Sequence, residues 1–433
     1  MARPARLISI AATIIAVACT PPSIAGGDPA SEQRARSSGG PAKEPFDFEG
    51  GRRFPKAAGI AIADIEIPPG SGTAHVPIIL DKDPANTIVA RVRTRNGTGA
   101  DKAYSGRHFE QVDRHVIFRP GDPLRQTVAV PVRGLRDGQQ FQLTFPAAVH
   151  GARVVDRSGA IRVRSGVPRP GPETDGFRAP RRFAPEATPD YSLDPRNARW
   201  TARGDAESWA TRLPHGRTQP ANGESGLYLD PGLHPSARPS IEASGGTVVL
   251  RSQSLDEPIA HDGRLWRHGA AVLSAEKLRK AHLRFGKLEW VARMPNREGS
   301  WPALWLLPRR GWPPEIDVYE GFGYSPDWEA STDISANIHG GAGGKRRFTR
   351  LMRLDGKAVY DIEGLDTGFH RYAVDIRPDT ITWFIDGKET YQVLNPFAGT
   401  TWFPLMTVAV KQEGEYGDGS GEMEIRSFKL WRD

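Results

Sequence analysis

Glu315, Asp317 and Glu320 lie within six residues, in Glu315-Ile-Asp-Val-Tyr-Glu320, just after Trp301-Pro-Ala-Leu-Trp305-Leu-Leu-Pro308 and Gly311-Trp312-Pro-Pro314. Three carboxylates among apolar and aromatic neighbours are costly, because burial and like charge both oppose ionisation. Ile316, Val318, Trp301 and Trp305 argue against a merely solvated acidic edge. Strand alternation puts Glu315, Asp317 and Tyr319 on one face and Glu320 on the other. One inserted residue, a β-bulge between Asp317 and Glu320, would bring all three acids together. Carboxylates so grouped could divide the labour of glycoside hydrolysis. One attacks the anomeric carbon, one protonates the leaving oxygen, and a third steadies the nucleophile and the acid's proton.

The elements needed to hold such a site are strands. The chain has 433 residues, with 47 Gly and 37 Pro. That length suggests two domains, and that composition suits turn-rich all-β structure. All eleven tryptophans lie at or after position 200. In that half, Gly286–Arg293, Arg371–Arg377 and Thr380–Ile385 alternate, the last before an Asp386-Gly387 hairpin signal. Only Ser274–His282 reads as briefly helical. The expected catalytic domain, 200–433, is a sandwich of two large curved sheets. Residues 55–166 read as a smaller β-sandwich, with Val128, Val130 and Val132 alternating in one run. Residues 167–199 are proline-rich and expected to act as a semi-rigid linker, and 26–54 as a disordered tether.

Arg3 and Arg6 precede an uncharged run, Leu7–Ala18, with the length of a secretion signal ending near residue 25. Ala16-Val-Ala-Cys19 resembles a lipobox, so lipidation of Cys19, and membrane association through it, stays open. Secretion, or a periplasmic or cell-surface location, is expected. Cys19 is the only cysteine, which leaves no internal disulfide. Residues 200–433 carry 29 Lys/Arg and 31 Asp/Glu, so the overall charge of +7 belongs to the N-terminal portion. No nucleic-acid-binding motif accompanies it, and no nucleic-acid partner is expected.

The carboxylate segment with its Trp-Pro-Ala-Leu-Trp-Leu-Leu-Pro and Gly-Trp-Pro approach resembles family 16 of the glycoside hydrolases. It is similar to the branch with the bulged active-site strand, which includes laminarinases, agarases and carrageenases. Asn222-Gly-Glu-Ser-Gly-Leu-Tyr228, Phe369-His-Arg-Tyr372, Trp383–Gly387 and Met423–Trp431 extend the likeness over most of 200–433. The resemblance implies a concave β-jelly-roll and endo-acting, retaining hydrolysis. It makes Glu315 the nucleophile, Asp317 the assisting acid and Glu320 the acid/base, an order spacing alone does not assign. The implied substrate is a β-linked polysaccharide, either a β-1,3- or β-1,3-1,4-glucan or an acidic exopolysaccharide. A transglycosylase and a non-catalytic carbohydrate-binding or adhesion protein are the alternatives. Ala90–Thr98, Val116–Gly121 and Thr127–Val132 are similar to a Calx-beta module. The acidic cluster that binds calcium in such modules is replaced by Arg133-Gly-Leu-Arg-Asp-Gly-Gln-Gln140, a poor divalent-cation site.

Trp312 is the first candidate sugar platform, because pyranose faces stack on indole. Trp301 and Trp305 share a strand face and serve either the cleft or the core. His339, in Asn337-Ile-His-Gly340, matches a family position near the acids, and Asn222, in the matching stretch Asn222–Tyr228, is a further candidate substrate contact. Lys345, Arg346, Arg347, Arg350 and Arg353 fall within nine residues, and Lys411 stands where relatives have an Asn-rich strand. Arg346, Arg347 and Lys411 are therefore candidate contacts to an anionic chain. No cofactor and no metal site are expected, with structural calcium left open.

Overall fold

Alternating burial builds both halves of the molecule. The computed structural model describes residues 55–168, 178–296, 299–342, 344–411 and 418–433. The signal and tether expectations lie outside these residues. The first half packs a four-stranded sheet on a five-stranded one. The four-stranded sheet runs Arg125–Pro131, Thr73–Leu80, Ala58–Ile62, Ala152–Asp156. Val128, Val130 and Val132 sit in the shared core with Val116, Phe118, Phe141 and Phe145, as period-two burial requires.

The second half is a jelly-roll of two sheets around a core from Leu193 to Leu430. One sheet runs Arg264–Ser274, Trp402–Val410, Ser300–Pro308, Glu315–Glu320, Asp333–Ala342, Lys345–Asp355. The other runs Thr247–His261, Gly421–Arg432, Gly286–Arg293, His370–Ile376, Thr380–Ile385, Lys388–Leu394. The hairpin joining Thr247–His261 to Arg264–Ser274 closes one side. The helical expectation at Ser274–His282 reduces to a 3-10 turn at Arg279–Ala281. The described α-helix is instead Gly356–Tyr360, started by Asp355 accepting from the Ala358 N–H.

The linker expectation needs correction from residue 178 onward. Phe183 packs on Phe384 and Trp431, with ring centroids 5.4 and 6.2 Å away. Lys287 donates to the Ala184 carbonyl at 2.9 Å. Tyr191–Leu193 is a strand paired with Phe428–Leu430. These residues belong to the jelly-roll, because their apolar groups find the outer sheet within reach.

The first sandwich is also docked. Strand Lys388–Leu394 would expose an edge of unpaired backbone groups. The Thr87 N–H donates to Gln392 O at 2.8 Å and the Leu394 N–H to Ala85 O at 2.9 Å, covering that edge. Beside it the wholly buried Glu389 carboxylate meets Arg119 at 3.1 Å and Arg178 at 3.1 Å. Arg178 also reaches Asp122 at 2.8 Å, and the Arg181 N–H donates to Glu389 at 2.7 Å. One buried cluster thus joins the sandwich, the chain segment after it and the jelly-roll.

Candidate active site

Cross-strand pairing decides which side chains share the site. Trp305 pairs with Asp317 and Ala303 with Glu320, with a register shift opposite Val318. That shift is the bulge that alternation demands, and it turns Glu320 to the face of Asp317. Glu315 and Asp317 pair in turn with His339 and Asn337, which pair with Thr349 and Leu351. The opposite face carries Ile316 and Val318 into the core. Trp301 and Trp305 resolve to the carboxylate face, although both also touch the core. The Trp301 indole donates to Glu320 at 3.3 Å.

The three acids sit in different environments. Trp312, at 42% exposure the most open tryptophan described, donates its indole N–H to Glu315 at 2.5 Å. Burial pushes the Glu315 carboxyl up, while Trp312, Asp317 and the Arg346 charge oppose the rise. Asp317 is 2% exposed. Burial, then the Glu320 and Glu315 charges, hold its proton well above the usual carboxylate range. Burial and the Glu315 charge push Glu320 up to about 7, against Trp301, Asn337 and Lys411. Burial thus raises all three carboxyls, and at Glu315 the Trp312 N–H and the Arg346 charge favour the anion against that rise.

His339 is held neutral, its pKa lowered to about 4 by burial and by Arg346. The neutral ring accepts at Nε2 from Asn337 Nδ2 at 3.0 Å and donates from Nδ1 to Thr349 Oγ1 at 2.8 Å. Glu315, Asp317 and His339 offer ligand atoms within 4.8 Å of one another, a spacing that could hold a cation. Both imidazole nitrogens are engaged with protein groups, so the trio reads first as a hydrogen-bond network. Among the described residues, Asp317 Oδ2, Asn337 Oδ1 and Trp305 Nε1 are buried without a hydrogen-bond partner. Polar groups left so on the carboxylate face are suited to sugar hydroxyls.

The basic run divides. Arg346 is exposed and acts on Glu315 and His339. Arg347 is exposed and is not among the groups acting on the carboxylates. Arg350 alternates to the other face and lies over Phe348 at 5.8 Å. Arg353 lies over Phe322 and Trp328 at 5.5 and 5.1 Å.

A fourth carboxylate escapes a local reading of the sequence. Glu224 is 8% exposed and accepts from the Tyr228 hydroxyl at 2.8 Å, with Asn222 Nδ2 at 3.5 Å. Burial is the first cause of its rise to about 7, and the Glu315 charge adds to it while Lys411 opposes it. Glycines permit the approach: a Cβ on Gly226 would stand 2.9 Å from the Ala270 Cβ. Its only sequence signal is its place between Asn222 and Tyr228, a stretch that shares the family likeness.

A stability test follows from Glu320. Its raised pKa means its stabilising contribution is complete below the ordinary carboxylate range and is lost as pH rises through about 7. Glu320→Gln stays neutral, so it is expected to unfold later than wild type at about pH 8, by on the order of 2 kcal/mol, and no later below about pH 4. Thermal unfolding across this range checks it; an equal difference at both ends would refute it.

Comparison with known proteins agrees with this geometry. Residues 244–420 match the model of glycosyl hydrolases family 16. A β-glucanase of Rhodothermus marinus is 30% identical over 164 residues, which are 36% of this chain and 51% of that protein. Endo-1,3-1,4-β-glycanase ExsH of Rhizobium meliloti (strain 1021) is 29% identical over 184 residues, 42% of this chain and 36% of that protein. Glucan endo-1,3-β-glucosidase A1 of Niallia circulans is 32% identical over 124 residues, 27% of this chain and 17% of that protein. The chain thus spans about half or less of the curated relatives it matches. The likeness to glycosyl hydrolases family 16 rests on residues 244–420, the stretch that folds into the carboxylate strand, its two facing tryptophans and His339.

Proposed function

We propose that this protein is an endo-acting, retaining glycoside hydrolase that cleaves a β-linked polysaccharide of the glucan type. The carrying observation is the bulged strand that sets Glu315, Asp317 and Glu320 on one face, each with different hydrogen-bonding neighbours. Glu315, steadied by the Trp312 N–H and Arg346, attacks the anomeric carbon. Glu320, protonated near neutral pH, gives its proton to the leaving oxygen, and Asp317 shares a proton with its neighbours as charge shifts. Water, deprotonated by Glu320, then releases the sugar from Glu315. Trp312 and the Trp301–Trp305 face supply the stacking surface, and the partnerless atoms of Asp317, Asn337 and Trp305 meet hydroxyls.

The relatives' names, β-glucanase and endo-1,3-1,4-β-glycanase, support a glucan backbone. The N-terminal pattern supports export to the cell surface or beyond, and the first sandwich is read as a Calx-beta-like spacer. Proton NMR during hydrolysis of laminarin or lichenan tests the mechanism. The first new reducing ends are expected as the β-anomer, followed by mutarotation. Early α-anomer, or no cleavage of any β-glucan, would overturn the reading.

A further inference from the structure

Beyond Glu320 the chain builds a wall that the catalytic carboxylates do not explain. Two successive turns, Ser325 N–H to Phe322 O at 2.8 Å and Trp328 N–H to Ser325 O at 3.0 Å, present three aromatic side chains. Trp301 and Tyr324 meet at 5.3 Å, Tyr324 and Phe322 at 5.9 Å, and Phe322 and Trp328 at 5.2 Å, each pair edge to face. All four rings are partly exposed. The strip starts at the group that hydrogen-bonds Glu320, since Trp301 is that donor.

Each end of the strip carries a cation. Lys411 Nζ lies 4.6 Å from the Tyr324 ring centre and 5.3 Å from that of Trp301. Arg353 covers Phe322 and Trp328 and has an ion pair at 3.9 Å with Asp333. Aromatic rings alone suffice to stack a neutral sugar. Cations held against those rings add an anion-binding function and rigidly aim it. Lys411 also offsets Glu224 and Glu320, so neutralising the acids is the competing role for it. Arg353 acts on neither group; its competing role is to offset Asp333, whose carboxyl burial raises to about 6.

We propose that the strip of Trp301, Tyr324, Phe322 and Trp328, bracketed by Lys411 and Arg353, binds a carboxylate-bearing sugar residue of the polysaccharide chain. This rests on the hydrolase reading and narrows its substrate to acidic β-linked polysaccharides. The sugar ring packs against the exposed parts of the aromatic strip, and its carboxylate is met by the cation at either end.

The test is binding, carried out on full-length Glu315→Gln protein so that turnover does not interfere. Titration calorimetry compares neutral laminarin with laminarin oxidised at C6 to glucuronic acid units. The oxidised polymer is expected to bind about tenfold tighter at 0.01 M ionic strength, where the Debye length is ~30 Å, and to lose most of that advantage at about 0.15 M, where it is ~8 Å. Adding Lys411→Met or Arg353→Met should cut the ratio of the two affinities to about threefold or less, whatever happens to each affinity. Circular dichroism of each variant separates this from unfolding. Equal affinity for the two polymers, binding of neither, or a ratio unchanged in both folded variants would overturn the subsite. Cleavage by the wild-type chain is followed in parallel. Preferential binding without cleavage would sink the hydrolase reading alone, and cleavage of neutral laminarin without preference would sink the subsite alone.

Discussion

Glu315→Ala is expected to lose turnover by on the order of 10⁴-fold or more, and Glu320→Ala by roughly 10²–10⁴-fold, with the fold intact in both. The two losses should differ in kind. Glu315→Ala lacks the attacking oxygen, so azide restores activity by direct attack and gives the inverted glycosyl azide. Glu320→Ala still forms the covalent intermediate when the leaving group is good, so activated aryl glycosides suffer less than polysaccharide, and azide gives the retained product. Asp317→Asn should be milder, since Asp317 touches the reaction through its neighbours. The pH profile carries the same assignment. With Glu320 raised to about 7, wild-type kcat/KM should fall on the alkaline side near that value as the acid loses its proton. Glu320→Gln should lose that limb. Wild-type activity in Glu315→Ala, or retained azide from it, would remove Glu315 from the nucleophile's place.

Glu389→Ala is expected to destabilise the protein by about 3–5 kcal/mol, the cost of stranding buried charges. Arg119 is 3% exposed and Glu389 is fully buried, so little solvent is available to Arg119 once its partner is gone. Arg119 and Arg178 would then share Asp122, 3.9 and 2.8 Å away, as their one remaining carboxylate among the described residues. The double variant Arg119→Met, Glu389→Leu should recover much of the loss, because it leaves no orphaned charge at that pair. Urea unfolding measures both, and a cost below about 1 kcal/mol for Glu389→Ala would show that the cluster does not hold the two halves together. The expectation of a semi-rigid linker over 167–199 does not survive these contacts from residue 178 onward. A chain cut after residue 199 would lose Phe183, the Tyr191–Leu193 strand and the cover over Lys388–Leu394.

What the amino-acid sequence determined by itself is what depends on neighbours along the chain. Period-two burial is local, so the strands at Gly286–Arg293, Thr380–Ile385 and Glu315–Glu320 were legible. The same period showed that Glu320 needs a bulge to join Glu315 and Asp317. What only the tertiary structure decided depends on partners far apart in sequence. Whether Trp301 and Trp305 serve the carboxylate face or the core turned on the pairing of their strand with Glu315–Glu320, in which Trp305 stands opposite Asp317. That Arg346 acts on the acids while Arg350 turns away turned on the pairing register of strand Lys345–Asp355. Glu224 reaches Glu315 from 91 residues away, and Lys411 reaches Trp301 across 110. No local pattern encodes such meetings, because a strand's alternation says which side chains share a face but not which strand lies beside it.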